Sequence, residues 1–178
     1  MTKMEYELTK ETLQPDFDLN KYLGLWYEVA KTPNFFEVGC SSASARYDKL
    51  SDTVISVINI CLNEKGCCQT QVNDKCILPG WIRGQGEVVN PNFPAALKVT
   101  FPEEPQLSPN LPNYLVHKTD YKSYALVGDP SRKFLFFLSR ERVMKKKKFI
   151  KLLDLAKSLG YKTEDIIINS YMGQPTIQ

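Results

Sequence analysis

Eight short stretches that favour extended chain follow one another between Trp26 and Leu138, most of them joined by links too short to hold a helix. They run from Trp26 to Lys31, Ser44 to Tyr47, Thr53 to Ile60, Trp81 to Val89, Ala95 to Phe101, Tyr114 to Lys118, Ser123 to Val127 and Phe134 to Leu138. β-Branched and aromatic residues are frequent in them, and turn formers such as Thr32-Pro33, Asn90-Pro91 and Gly128-Asp129-Pro130 separate them. Parallel neighbours need long crossovers, so links this short predict antiparallel pairs. Eight such strands must split into two sheets or close on themselves. The short links favour closure into an up-and-down barrel, whose interior can hold one small ligand.

The hydrophobic period then changes. Residues 144–159 place Phe149, Leu152, Leu153, Ala156 and Leu159 on one face at helical spacing, with Gly160 where a C-terminal cap glycine belongs. Phe134-Leu-Phe-Phe-Leu138 is apolar on both faces, so one face lines the barrel and the other lies under this helix. Ile166-Ile-Ile168 predicts one short last strand. The expected fold is therefore all-β: an eight-stranded antiparallel up-and-down barrel with one C-terminal α-helix packed on its outside and a short final strand. Residues 1–15 read as a tail and 16–178 as one domain.

In a meander the connections alternate between the two ends. The start of the first strand at Trp26, the Thr119-Asp120-Tyr121 turn and Arg140 fall at one end, built from tight turns. Cys40, the Cys61–Cys76 link, the proline-rich 102–112 link and the Gly128–Ser131 turn fall at the other. A closed floor and an open mouth follow.

A net charge of +3 on 178 residues is too mild to argue for nucleic acid. No apolar run approaches the length of a membrane span, and the first residues lack the apolar core of a signal peptide, which fits either a protein that stays inside the cell or a mature form with its targeting segment removed. The five cysteines, Cys40, Cys61, Cys67, Cys68 and Cys76, all fall in the first half. Such a cluster points to an oxidising compartment, hence a secreted, periplasmic or membrane-associated mature form with two disulfides and one free thiol, in any of fifteen pairings. Their spacing lacks the C-x2-C of a zinc site, and no metal or cofactor is expected. His117, the one histidine, points outward by strand parity, so no histidine-based triad can be assembled. Gly84-Gln-Gly86 has Val89 in the third glycine's place of a dinucleotide loop, within a strand. Glu103-Glu104 has no acid/base partner. Lys145, Lys146, Lys147 and Lys148 stand against the helix dipole; they read as a solvated face or as a docking patch for anionic membrane, with Lys151 and Lys157 adding to it.

Gly24-Leu25-Trp26, Thr119-Asp120-Tyr121 and Ser139-Arg140 resemble the three signature regions of the lipocalins, in order and at matching spacing. Segments such as YLGLWYEVAK, VISVIN, AALKVTF, TDYKSYALVGDP and FLSR are similar to the bacterial lipocalin and apolipoprotein D branch, from about Phe17 to Met172. The resemblance implies that Trp26 plugs the floor with Arg140 across its indole, a contact that gains ~1 kcal/mol or more when sheltered.

With parity anchored on that pattern, the first two strands turn Glu28, Ala30, Ala45 and Tyr47 inward, and the third Ile55, Val57 and Asn59. The following strands add Ile82, Gly84, Gly86, Val88, Leu97, Val99, Phe101, Tyr114 and Val116, and the last two Ala125, Val127, Phe134, Phe136 and Leu138. The glycines and alanines are expected to leave room for a ligand, and a few polar groups to orient it. A fatty acid, lysophospholipid or retinoid-like molecule is the expected ligand, bound for storage or transport. In apolipoprotein D a disulfide reaches the C-terminal segment; no cysteine follows Cys76 here, so bridges must be local, most simply from Cys40 to the Cys61–Cys76 link. Cys61 continues the inward parity, and a free thiol there would allow a thiol-dependent isomerase. A partner-binding scaffold with a filled barrel is the third alternative. Oligomeric state is not legible.

Overall fold

The computed structural model describes residues 10–63, 70–72, 75–78, 80–102 and 111–178. A short 3-10 turn at Lys10–Thr12 and a single helical turn α1 (Leu19–Tyr22) lead into β1 (Gly24–Lys31), β2 (Ser42–Lys49) and β3 (Val54–Leu62). Within the cysteine-bearing link, read from sequence as a loop, lies a hairpin of β4 (Thr70–Val72) and β5 (Lys75–Leu78). The meander resumes with β6 (Trp81–Val88), β7 (Ala96–Thr100), β8 (Tyr114–Thr119), β9 (Tyr124–Gly128) and β10 (Leu135–Ser139). The helix α2 (Lys146–Ser158) follows, then β11 (Ile167–Ile168), β12 (Ser170–Tyr171) and β13 (Gln174–Pro175), the last two forming a small hairpin. Leaving out the β4–β5 hairpin, each strand pairs with its neighbours in antiparallel order and β10 returns to β1, closing eight strands into a barrel.

Two apolar clusters share the β1, β9 and β10 walls. Inside the barrel lie Trp26, Tyr47, Ile55, Val57, Leu97, Val116, Ala125, Val127 and Leu138, all fully or nearly fully buried. Outside, Phe149, Leu152 and Ala156 of α2 cover Val29, Leu126, Leu135 and Phe137. Gly160, at φ +90°, ends the helix in the left-handed region. The two-faced apolar pattern of β10 is thus used on both faces. Further around the wall, the segment taken as a tail packs before it ends: Leu13 is buried, and Gln14 donates its backbone N–H to the Val116 carbonyl.

β1 departs from simple alternation. Glu28 pairs with Leu138 but Ala30 pairs with Phe137, so Val29 is an extra, bulged residue. Beyond the bulge β2 also leaves β1; its pairing ends at Glu28–Ala43, and β11 takes its place opposite Ala30 and Lys31. Asn169 fills the gap, its backbone N–H bonded to the Val29 carbonyl and its Nδ2 to the Glu28 carbonyl.

Candidate functional site

The floor is built as a set of backbone bonds around one guanidinium. Arg140 lies 3.7 Å from the Trp26 ring centroid and donates to the carbonyls of Lys21, Tyr22, Leu23, Leu25 and Tyr121. Trp26 Nε1 donates to the Tyr22 carbonyl at 2.8 Å. Gly24, at φ +98°, has Arg140 3.3 Å from where a Cβ would stand, so a side chain there is both strained and crowded. Thr119 Oγ1 ties the turn to the Tyr124 carbonyl and accepts from the Tyr121 N–H. Burial would raise the Asp120 carboxyl, but the Ser123 hydroxyl and three backbone N–H groups outweigh it and hold the group below its usual range. The six floor residues Gly24, Trp26, Thr119, Asp120, Tyr121 and Arg140 are therefore joined in one network of contacts.

Above the floor stand three tyrosines. Tyr114 Oη is 2.7 Å from Tyr22 Oη and 2.8 Å from Tyr47 Oη, and the Tyr22 and Tyr47 rings stack at 5.5 Å. Three hydroxyl protons serve two hydrogen bonds, so in every arrangement one proton is left over. Burial pushes Tyr47 up to about 12 and Tyr22 and Tyr114 well above the ordinary tyrosine value. None of the three ionises near neutral pH.

Exposure changes along the inner wall. On β3, Ile55 and Val57 are each 2% exposed, whereas Asn59 and Cys61 on the same face are half-buried. On β6, Gly84 and Gly86 are buried but Ile82 is 41% exposed. On β10, Leu138 is buried and Phe136 half-buried. The floor half is packed and the mouth half opens to solvent. The mouth is edged by Phe35, Phe36, Val38 and Trp81, all exposed, with Phe36 5.4 Å from Phe134 and 6.3 Å from Phe136. A Cys40–Cys61 disulfide fastens the Phe35–Val38 link to the end of β3.

Residues 17–170 match the family model described as a lipocalin-like domain. This chain belongs to the lipocalin family. Over 164 residues this lipocalin is 33% identical to the outer membrane lipoprotein Blc of Vibrio cholerae, covering 88% of this chain and 85% of that one. It is 35% identical over 125 residues to apolipoprotein D of Rattus norvegicus, where the match spans 70% of this chain and 58% of the relative. Among solved structures, lobster apocrustacyanin A1 shares the fold with a TM-score of 0.63 at 18% identity, over 86% of this chain and 79% of that one. Insecticyanin of the tobacco hornworm Manduca sexta gives 0.62 at 22%, over 91% and 86%.

Strand register gives the position of each candidate lining residue of this lipocalin. Tyr47, Val57, Asn59, Ile82, Gly84, Gly86, Val88, Leu97, Val99, Phe101, Tyr114, Val116, Ala125, Val127 and Phe136 share the inner face by register, and Phe134 continues it at the rim. Ala30 is a correction: the Val29 bulge turns it outward, into the cluster under α2. The same bulge turns Lys31 inward opposite Phe136, where it is 3% exposed. The glycines are a second correction. A Cβ on Gly84 would meet the Thr100 carbonyl at 2.3 Å and the Phe101 ring at 2.6 Å, and one on Gly86 would meet Ile55 at 3.1 Å. Neighbours crowd the first atom of any side chain at these two positions, so the glycines mark close contact within the wall.

Glu28 is buried inside the wall, its Oε1 accepting from Asn169 Nδ2 and lying 3.5 Å from Lys31 Nζ. Loss of hydration, then the Glu37 charge, push its carboxyl up to about 8 against the opposing pull of Lys31 and Asn169. Lys31 and Tyr22 were missed from sequence. Tyr22 stands four residues before Trp26 behind an Asp18 helix cap, a signal that was available; a bulge carries no such mark.

Cys61 faces inward as read, but its sulfur is bonded to Cys40, which removes the thiol that an isomerase would need. Cys67 and Cys68 lie outside the described residues, and Cys76 lies on β5. His117 points outward yet is buried: its Nδ1 faces the Thr12 carbonyl and its Nε2 is 2.7 Å from Tyr161 Oη. Burial lowers it to about 4, and the neutral ring donates from Nδ1 to the Thr12 carbonyl. The lysine run sits at the floor end, with Lys148 Nζ 2.7 Å from Ser123 Oγ and Lys145, Lys146 and Lys147 exposed. Among the described residues no group of histidines, cysteines and carboxylates could hold a metal ion.

Proposed function

We propose that this lipocalin stores or carries a small amphipathic molecule, a fatty acid, lysophospholipid or retinoid-like compound, in the mouth half of its barrel. The observation that supports the reading is the exposure gradient: a mostly apolar inner wall, packed at the floor, becomes accessible towards a rim of exposed aromatic side chains. Burying ten methylenes yields roughly 8 kcal/mol gross. Ordering costs reduce that, which leaves affinities on the order of micromolar. Asn59, Ile82, Val99, Phe101, Phe134 and Phe136 would touch the ligand, and the buried Val57, Leu97, Val116, Ala125 and Val127 would shape the bottom of its site. Contact with anionic membrane through Lys145 to Lys148 is not part of this reading, because those side chains lie at the closed end, away from the rim.

Delipidated protein titrated with the neutral fluorophore N-phenyl-1-naphthylamine is expected to bind it with a Kd in the micromolar range, about −8 kcal/mol. Palmitate should displace the probe, and Asn59→Trp should weaken both by filling the mouth half. Absence of binding at hundreds of micromolar, on the order of 5 kcal/mol or less, would refute the proposal.

A further inference from the structure

A buried cation stands on the mouth half of the inner wall. Lys31 Nζ lies 3.0 Å from Glu37 Oε2 and 3.5 Å from Glu28 Oε1, but neither contact has the angles of a hydrogen bond. With Asn169 Oδ1, Nζ is one of two buried side-chain polar atoms among the described residues that lack a hydrogen-bond partner. An ammonium has three donors, and charge proximity alone compensates its lost hydration poorly. Both glutamate oxygens also accept from asparagine amides. Glu37 accepts from Asn34 Nδ2 at 2.6 Å, and Glu28 Oε1 accepts from Asn169 Nδ2 at 2.9 Å. Loss of hydration and the Glu37 charge raise the Glu28 carboxyl, which shares a hydrogen bond with Glu37.

We propose that Lys31 anchors the polar head of the ligand: a terminal oxyanion, carboxylate or phosphate, on a single acyl chain accepts hydrogen bonds from Nζ. The chain then lies along Ile82, Val99, Phe101 and Phe136. An oxyanion supplies an acceptor with hydrogen-bond geometry, which neither glutamate provides, and charge-assisted bonds are the stronger kind. The inference rests on the reading that the barrel binds an amphiphile, and the test separates the two.

Palmitate, palmitoyl lysophosphatidate and hexadecanol, matched in chain length, are used to displace N-phenyl-1-naphthylamine from the full chain. At least one oxyanion ligand is expected to bind the wild type about tenfold more tightly than hexadecanol, and which one does so identifies carboxylate or phosphate. Lys31→Met should abolish that gap, whereas Lys31→Arg retains it. Equal affinities in the wild type, or a gap that survives Lys31→Met, overturn the anchor but leave the barrel reading intact. A wild type that binds neither the fluorophore nor hexadecanol overturns both. If Lys31→Met does not fold, [1-13C]palmitate on the wild type decides. Beside the ammonium its carboxyl stays ionised down to about pH 5, whereas a carboxyl buried without a cation titrates well above that, which would overturn the anchor.

Discussion

Glu28 sits where its ionised form is least welcome, and the fold carries the consequence. Its carboxyl titrates at about 8 in the folded protein, against roughly 4.3 for an unfolded glutamate. Between those values the folded state binds the extra proton, so stability is fully present below the lower value and is lost as pH rises through the upper one. Glu28→Gln keeps an oxygen for Asn169 and removes the titration. Denaturant unfolding from pH 5 to 9 should show a flatter profile for the variant, with the variant more stable than wild type at pH 9 by on the order of a few kcal/mol. A variant profile parallel to wild type would show that Glu28 does not titrate in this window. Trp26 and Arg140 were legible from sequence because their motifs recur in a family. Lys31 was not, since a bulge one residue long reverses parity without altering composition.

At the scale of the element, α2 starts against the usual electrostatic preference. Lys145 occupies the cap position with extended backbone at φ −65°, ψ 133° and makes no side-chain cap bond, and the first turn holds no acidic residue. The Gln178 carbonyl accepts the Lys146 N–H at 2.6 Å in its place. Packing of Phe149, Leu152 and Ala156 therefore holds the helix despite its first turn. Lys145→Asp supplies an acceptor and the favourable charge, and should stabilise the protein by about 1 kcal/mol in thermal or denaturant unfolding. The helix itself was legible from its spacing, as was each barrel strand. The β4–β5 and β12–β13 hairpins were missed because pairs of two to four residues leave too short a pattern.

For the whole molecule, the two ends of one barrel have different tasks. The floor is cross-tied by Arg140, the Asp120 turn and the tyrosine trio, while the mouth has partly exposed walls and a rim fastened by one described disulfide. Amide hydrogen exchange should therefore be slowest in Trp26, Tyr47, Val57 and Val116 and faster by orders of magnitude in Asn59 to Leu62 and Trp81 to Arg83. Added palmitate should slow the second group selectively; uniform protection would argue against a ligand site in the mouth half.

Strand number, closure and the position of the helix follow from local pattern, because period and turn chemistry are properties of neighbouring residues. Whether an inward glycine is space or contact depended on Phe101 and Ile55, and whether Cys61 was a thiol depended on Cys40. Which of Ala30 and Lys31 entered the barrel depended on the bulge at Val29, where the gap left by β2 admits Asn169. These are contacts between residues distant in the chain, and only the closed barrel brings them within reach of one another.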